Sequence, residues 1–317
     1  MKKSTTRERR MPQTVWGKAA RFTILGKSPV DAYLRLNLRL WKHLPSSLVD
    51  VPPIRSYGAF LQTLVRLRVA RKQNFGTLFL RNRPQLELMR RLSHQKAAGS
   101  TLKIAVLACS KGAEVYSILW TIRADRPDLK VVMNAADISK EVLEFAERGV
   151  YSLDAPEFHV AHVFGDMTED EMRDLFDWEG DKVRVNSWIR KGITWHLGDA
   201  EDPEIVNILG YQDVVVANNF LCHMYPPKAE NCLRNIARLV KPGGYLVVSG
   251  IDLDVRTKVA EDLGWIALSD LLEKIHEGDH FLRDDWPSKY WGLEPLDKTR
   301  HDWKIRYASV FQIRAEG

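Results

Sequence analysis

Acidic residues are nearly missing from the first hundred positions of this 317-residue chain: four Asp/Glu stand there against 21 Lys/Arg, and the remaining 37 acids and 26 bases follow. The formal net charge of +6 therefore conceals two parts of opposite sign, +17 and −11. A basic arm of this kind suits an anionic membrane surface or an acidic protein, with nucleic acid not excluded, and it also suits docking on the chain's own acidic part. Cysteine is scarce as well. Cys109, Cys222 and Cys232 are widely spaced and form no CxxC, which supports neither a disulfide framework nor a cysteine zinc site. No apolar run approaches the roughly 20 residues a spanning helix requires, and MKKSTTRERRMPQTVWGKAARF lacks the apolar stretch of a signal peptide. The expectation is a cytoplasmic protein, with peripheral membrane contact through the arm left open. A P-loop and a G-x-S-x-G elbow are both missing, so phosphoryl transfer and Ser/His/Asp hydrolysis lack their usual signatures. The pairs His159 with His162 and His276 with His280 have metal-compatible spacing but no further ligands nearby, and no metal is expected.

What is present divides into three segments: a basic arm over 1–50, a basic helical subdomain over 51–97, and a larger domain over 98–317. Asp31 to Leu44 mixes leucines, Trp41 and basic residues as an amphipathic helix would, although its leucines fall mostly at every second position. After the ValProPro break at 51–53, Tyr57, Phe60, Leu61, Leu64 and Leu67 recur at helical spacing among Arg66, Arg68, Arg71 and Lys72. Pro84 suits the first turn of another helix with an apolar stripe of Leu88, Met89 and Leu92. Beyond residue 100 strands and helices alternate. Strands are expected at Lys103–Leu107, Val131–Ala136, Ile193–Leu197, Asp213–Ala217 and Tyr245–Ser249, and late at Lys304–Ile313, with Lys-Pro-Gly-Gly at 241–244 turning a helix into the fifth. The pattern implies an α/β fold, a doubly wound parallel sheet covered on both faces.

In such sheets a ligand sits at the carboxyl ends of the strands. The loop after the first strand reads Ala108, Cys109, Ser110, Lys111, Gly112, Ala113, Glu114, without the G-x-G-x-x-G that lets backbone amides approach a pyrophosphate. Glu114 would repel a pyrophosphate but can accept hydrogen bonds from an ammonium group. The second strand ends in Asp137, followed by Ile138, where a carboxylate can take both hydroxyls of a ribose. A nucleoside carrying an amino acid and no phosphate fits, and S-adenosyl-L-methionine (SAM) is such a molecule. Structural alternatives stand beside these readings: Asp137 as a helix cap and Glu114 as a first-turn acid favouring its helix dipole.

ACSKGAEVYSI and AADISKEVLEFAERGVYS closely resemble the SAM-dependent chemotaxis-receptor glutamate methyltransferases, the CheR family. TLFLR at 77–81, DKVRVNSWIRKGITW at 181–195, DVVVANNFLCHMY at 213–225 and LVKPGGYLVVSG at 239–250 resemble further family segments in order, so the likeness spans roughly residues 55–250. It implies a class I SAM-methyltransferase Rossmann-like sheet with a helical N-terminal region and a C-terminal extension. It further implies that Thr77 and Arg81 approach the methionine carboxylate, Glu114 the amino group and Asp137 the ribose. Asp199 and Ala200 would border the adenine, and Asn218 and Asn219 would line the cofactor. Arg81 also makes independent sense, because a guanidinium clamps a carboxylate with two parallel hydrogen bonds.

The departures bear on the acceptor. Phe75 and Asp199 stand where the family has asparagines, Ala217-Asn218-Asn219 replaces its C-R-N, and His223 stands where it usually has a tyrosine near the transferred methyl. Histidine titrates near neutrality and can take a proton from a hydroxyl, a step that a carboxylate acceptor does not require. His223, with Tyr225 next in line, is thus the expected catalytic residue of a methyltransferase acting on a hydroxyl or carboxyl of a small molecule, glycan or lipid. The alternatives are a protein-glutamate O-methyltransferase and a non-catalytic SAM-binding scaffold. The region 251–303 is expected to hold a helix over Thr257–His276. Trp286, Tyr290, Trp291 and Trp303, interleaved with Arg283, Lys289, Arg300 and His301, are expected either to wall the substrate pocket or to staple a loop to the core.

Overall fold

The computed structural model describes residues 29–49, 51–66, 75–153, 163–278, 286–288 and 292–314. Among them, 29–49, 51–66 and 287–288 fall in one compact unit and the rest in another. Most of the 1–50 arm, Leu67 to Lys72, the His159/His162 pair, His280, Arg283 and Lys289 to Trp291 lie outside the described residues.

The first unit contains α1 (Pro29–Trp41), α2 (Ser46–Val49) and α3 (Pro52–Arg66). The alternating leucines of α1 are resolved by the helical period: Leu34 and Trp41, two turns apart, are buried, while Leu36 and Leu40 stay exposed. Tyr57 joins α3 to α1 by donating to Asn37 Oδ1 at 2.6 Å. ValProPro begins α3 rather than merely breaking the chain, since proline is tolerated in a first helical turn.

The second unit opens with α4 (Arg83–Ser93), capped by Asn82, whose side chain accepts from the Gln85 N–H at 3.1 Å. There follow β1 (Thr101–Leu107), α5 (Ala113–Asp125), β2 (Lys130–Asp137), α6 (Lys140–Arg148) and β3 (Val150–Ser152). Next come α7 (Glu169–Leu175), β4 (Phe176–Glu179), β5 (Lys182–Val185), α8 (Ser187–Arg190), β6 (Ile193–Leu197), α9 (Ile205–Leu209) and β7 (Gln212–Val216). The chain continues through α10 (Pro226–Ala237), β8 (Val240–Val247), α11 (Leu253–Asp262), β9 (Ile266–Ala267), α12 (Leu272–Glu277), α13 (Trp303–Tyr307) and β10 (Val310–Gln312). The main sheet has the order β6-β2-β1-β7-β8-β10-β9; the first five strands are mutually parallel, and β10 runs antiparallel to both neighbours. Side chains of β1 alternate between two cores. Ile104 and Val106 pack with α4 and α5, and Ala105 and Leu107 with α10 and α11, as expected of a strand covered on both faces. Truncating the fully buried Ile104 to alanine costs about 2–5 kcal/mol by the usual large-to-small scale.

Three expectations are corrected. Thr257–His276 is not one helix: Gly264, at φ 62°, ends α11, and the chain pairs briefly as β9 before α12. Lys304–Ile313 is not one strand: its first part is α13, whose Arg306 and Tyr307 turn inward to Glu294, and only Val310–Gln312 joins the sheet. Lys-Pro-Gly-Gly does not precede the fifth strand but lies inside β8, beside a register shift opposite Gln212 and Val214.

A second, three-stranded antiparallel sheet, β3-β5-β4, has no counterpart in the sequence reading. Tyr151 and Phe176 from it meet the Phe79 ring edge-on at 5.0 Å, and the Phe79 N–H donates to the Val163 carbonyl at 2.8 Å. That aromatic packing holds the 75–81 segment in place.

Candidate active site

The loop between β1 and α5 is strained and heavily tethered. Ala108 and Ser110 both adopt φ 51° without being glycine, a conformation that costs of order 1–3 kcal/mol each unless the surroundings impose it. The surroundings do so. Cys109 N–H donates to the Ala136 carbonyl at 3.1 Å, Ser110 N–H to Asp137 Oδ2 at 2.9 Å and Ser110 Oγ to the Phe75 carbonyl at 2.7 Å. Tyr151 Oη donates to the Lys111 carbonyl at 2.6 Å, so the small sheet also holds this loop.

Asp137 is 4 % exposed at the end of β2 and accepts from the N–H groups of Ser110 and Ser139, one on each oxygen. A carboxylate has about four lone-pair sites, so each oxygen retains acceptor capacity for a hydroxyl. Burial pushes its pKa up, opposed by the N–H groups of Ser110, Ser139 and Ile138. The cap of α6 is Ser139, whose side chain accepts from Val142 N–H at 3.4 Å.

Opposite Asp137, Asn218 at the end of β7 spends its whole side chain on neighbours. Its Nδ2 donates to Glu114 Oε1 at 2.7 Å and to Gln85 Oε1 at 2.8 Å, and its Oδ1 accepts from Ser249 Oγ at 2.8 Å. Asn219 follows at φ 61°, so close to Gly250 that a Cβ there would meet the Asn219 Cα at 2.6 Å.

These groups line one cavity at the carboxyl ends of the strands. It brings together Thr77, Arg81, Ala108, Cys109, Ser110, Glu114, Asp137, Ile138, Asp199, Ala200, Asn218, Asn219 and His223. A shallower cleft shares Ile138, Gly198 and Asp199 with it and adds Leu197, Asp202, Ile205 and Ile208. Two expected residues are elsewhere. Gly112, at φ 87°, faces α6, where a Cβ would stand 3.1 Å from Ala146 and 3.2 Å from both Trp195 and Tyr116; its role is packing. Tyr225 is the residue before α10 and does not line the cavity. Trp286, Arg300, His301 and Trp303 do not line it either; Gly292 and Leu293 do, with Ile275, His276, Arg256 and Ser309.

His223 closes a short 3₁₀ turn, Leu221–His223, and burial pushes its imidazole pKa below the ordinary value of 6.5, favouring the neutral form. Burial together with Asp137 holds the Cys109 thiol well above its ordinary range, which makes it a poor nucleophile. His276 donates Nε2–H to the Glu294 carbonyl at 2.7 Å and meets Tyr307 edge-on. Among the described residues no group of three or more His, Cys, Asp or Glu is placed to hold a metal ion. No helix among them is long and apolar enough to cross a membrane.

Gln85, Arg256, Ile275, His276 and Gly292 are cavity residues that the sequence reading missed. For Gln85 a signal exists: it precedes Leu88, Met89 and Leu92 by three, four and seven residues, so it is the polar member of their stripe. The donor set fits a nucleoside with an amino-acid tail: a carboxylate with spare lone pairs for hydroxyls, a second carboxylate for an ammonium, and no nest of glycine amides for phosphate.

Residues 76–254 match the family described as CheR methyltransferase, SAM binding domain. The chain is 28 % identical over 153 residues to a chemotaxis protein methyltransferase of Vibrio parahaemolyticus, covering 46 % of this chain and 52 % of that protein. It is 25 % identical over 180 residues to a probable biofilm formation methyltransferase, WspC, of Pseudomonas aeruginosa, covering 54 % and 40 %. The match thus spans about half the length of these relatives or less. Among solved structures it is similar to magnesium protoporphyrin IX methyltransferase from Synechocystis with bound SAM, at TM-score 0.35 and 14 % identity over 59 % of this chain and 70 % of that one. The sheet order with a single reversed strand is that of a class I SAM-dependent methyltransferase, and SAM is the cofactor.

Proposed function

This chain belongs to the CheR methyltransferase family, and from that premise we propose that it methylates a carboxyl group on an acidic protein. The observation that carries the proposal is the cavity itself, which Arg81, Glu114, Asp137 and His223 all line, in a chain similar to chemotaxis and biofilm methyltransferases. The excess of 21 bases over four acids in the first hundred residues supports an acidic partner, with the basic stretch of sequence over 57–72 the place to meet it. SAM, when bound, supplies a methyl group on a sulfonium. The chain's own residues then have positional tasks. Asp137 takes the ribose hydroxyls, Glu114 the ammonium, Arg81 the carboxylate, and Asp199 with Ala200 borders the adenine. A carboxylate acceptor arrives already ionised, so the protein's contribution to rate is alignment and exclusion of water.

A second reading rests on His223. Neutral and beside the cavity, it is suited to take a proton from a hydroxyl acceptor. One experiment separates the two. Protein labelled from methyl-tritiated SAM with acidic protein substrates is treated with mild alkali: a carboxyl ester releases volatile methanol, whereas an ether keeps its label. Release of methanol is the expected result; alkali-stable label in the isolated product overturns the carboxyl reading in favour of the hydroxyl one.

A further inference from the structure

Helix α1 carries two apolar stripes, one more than its packing uses. Leu34 and Trp41 are buried, whereas Leu36 and Leu40, on another side of the helix, are 60 % and 59 % exposed, and Tyr33 is exposed with them. The outer stripe has a counterpart. Pro29, Tyr33, Leu36 and Leu40 recur 24 residues later as Pro53, Tyr57, Phe60 and Leu64 of α3, each set at i, i+4, i+7 and i+11 and hence on one helical face. The stripes join at the tyrosines. Tyr33 and Tyr57 stand hydroxyl to hydroxyl at 2.8 Å, and the Tyr57 ring lies 6.3 Å from that of the exposed Phe60. Because Tyr57 donates its one proton to Asn37 Oδ1, Tyr33 donates to Tyr57, and both phenolic donors are satisfied inside the patch. Seven of the fifteen exposed large apolar residues among those described lie between Tyr33 and Phe60, a concentration that marks an interaction surface.

The charge beside the patch says what covers it. Arg35, Arg39 and Lys42, at i, i+4 and i+7, form an exposed basic row along α1 and its end, and the helix itself contains one acid, Asp31. A second copy would set these bases against their own kind, and the stretch over 1–28, with eight Lys/Arg and one Glu, would do the same. An acidic protein would satisfy the bases but finds no spare hydroxyl donor on the tyrosines. An anionic lipid surface fits both halves of the pattern: leucine, phenylalanine and the paired tyrosines enter the headgroup boundary, while the arginine and lysine stems lie along it with their charges among the phosphates. We propose that the outer face of α1, continued by Tyr57 and Phe60 of α3, docks this chain on the surface of an anionic bilayer. Thirteen residues are too few to cross one, so the helix lies in the interface. The proposal depends on neither the cofactor nor the methyl acceptor.

The test is co-sedimentation of the full chain with vesicles of phosphatidylcholine alone and of phosphatidylcholine mixed with phosphatidylglycerol, for the wild type, Leu36→Gln with Leu40→Gln, and Arg35→Gln with Arg39→Gln. All four positions are exposed and glutamine is a good helix former, so both variants should fold, which thermal melting checks. Wild type should bind the mixed vesicles, more weakly as salt rises, and leave the neutral ones largely free. The leucine variant, its charge unchanged, should bind the mixed vesicles roughly ten- to a hundredfold more weakly, because two exposed leucines no longer leave water on docking. The arginine variant should lose roughly ten- to thirtyfold. Binding undiminished in the leucine variant would leave charge alone as its cause, as for an acidic protein partner, and would overturn the docking face. Absence of wild-type binding to the mixed vesicles would overturn it too, and a lower melting temperature in the leucine variant would then assign the face to the chain's own acidic part.

Discussion

Asp137 Oδ2 lies 2.9 Å from the Ser110 amide nitrogen, so the carboxylate that closes β2 also shapes the loop that closes β1. The cofactor's ribose position and the strained loop therefore share one anchor. Replacing Asp137 with alanine should weaken S-adenosylhomocysteine binding by about 1–3 kcal/mol through the ribose hydroxyls. It should also lower the melting temperature, because the Ser110 and Ser139 N–H groups lose their acceptor. Asp137→Asn should keep more stability than affinity, since its one oxygen can retain a loop N–H but carries no charge. Calorimetry and thermal melts on both variants measure the two effects separately; an Asp137→Ala protein that binds as tightly as wild type contradicts the ribose role.

Gly112 carries a prediction about folding alone. Its φ of 87° and three neighbours within 3.2 Å of a built Cβ make alanine strained and crowded at once. Gly112→Ala should destabilise by about 1–3 kcal/mol, the usual cost of overpacking a well-filled site. Denaturant melts check it. Because the residue faces α6 and not the cavity, the affinity of the folded fraction for S-adenosylhomocysteine should stay within severalfold of wild type.

The parts of the site that were legible are those where periodicity and chemistry coincide. The run into Leu107, the short loop and Val115 onward read as strand, turn and helix, and an acid ending the next strand can take ribose hydroxyls or cap the following helix, a cap that Ser139 holds instead. The three-stranded sheet was invisible because strands of three or four residues are too short to display a period of two. Gln85 escaped because a helix stripe is read by its apolar members, and only tertiary packing brings its amide oxygen to accept from Asn218 at the cavity. At Thr257–His276 the helical pattern hides a break, for one glycine inside such a pattern is ordinarily tolerated. Aromatic richness around Trp286 and Trp303 leaves a pocket wall and a loop staple equally open; neither residue lines the cavity, whereas Gly292 does, packed so closely that a Cβ there would meet the Ile251 carbonyl oxygen at 2.1 Å.

Salt should discriminate the acceptor from the cofactor. If the basic helical region meets an acidic protein through exposed charges, raising the salt from 50 to about 300 mM shortens the Debye length to well under 10 Å and weakens that encounter. The KM for a protein acceptor should rise several-fold while the KM for SAM stays nearly constant. Charge reversal at Arg66, Arg68 and Arg71 should reproduce the effect at low salt. A protein-acceptor KM indifferent to both changes removes the basic region from acceptor recognition.

His223 decides between the two acceptor readings, and its titration has a definite sign. Burial lowers its folded pKa below 6.5, while in the unfolded chain it takes a proton near that value. As pH falls below about 6.5, the unfolded state binds the proton first, so this residue subtracts stability progressively until the folded imidazole also protonates. His223→Phe should therefore flatten the acid side of the stability profile, measured by melts at pH 5.5 and 7.5. Turnover follows separately. With a carboxylate acceptor no proton is removed, and His223→Phe should retain activity within about tenfold of wild type, a small change beside the 10²–10⁴ that a general base contributes. Its kcat should then lack an acidic limb assignable to the imidazole. A loss of 10² or more in His223→Phe, with a wild-type acidic limb below pH 6.5 and unchanged S-adenosylhomocysteine affinity, would instead make the imidazole the base and the acceptor a hydroxyl.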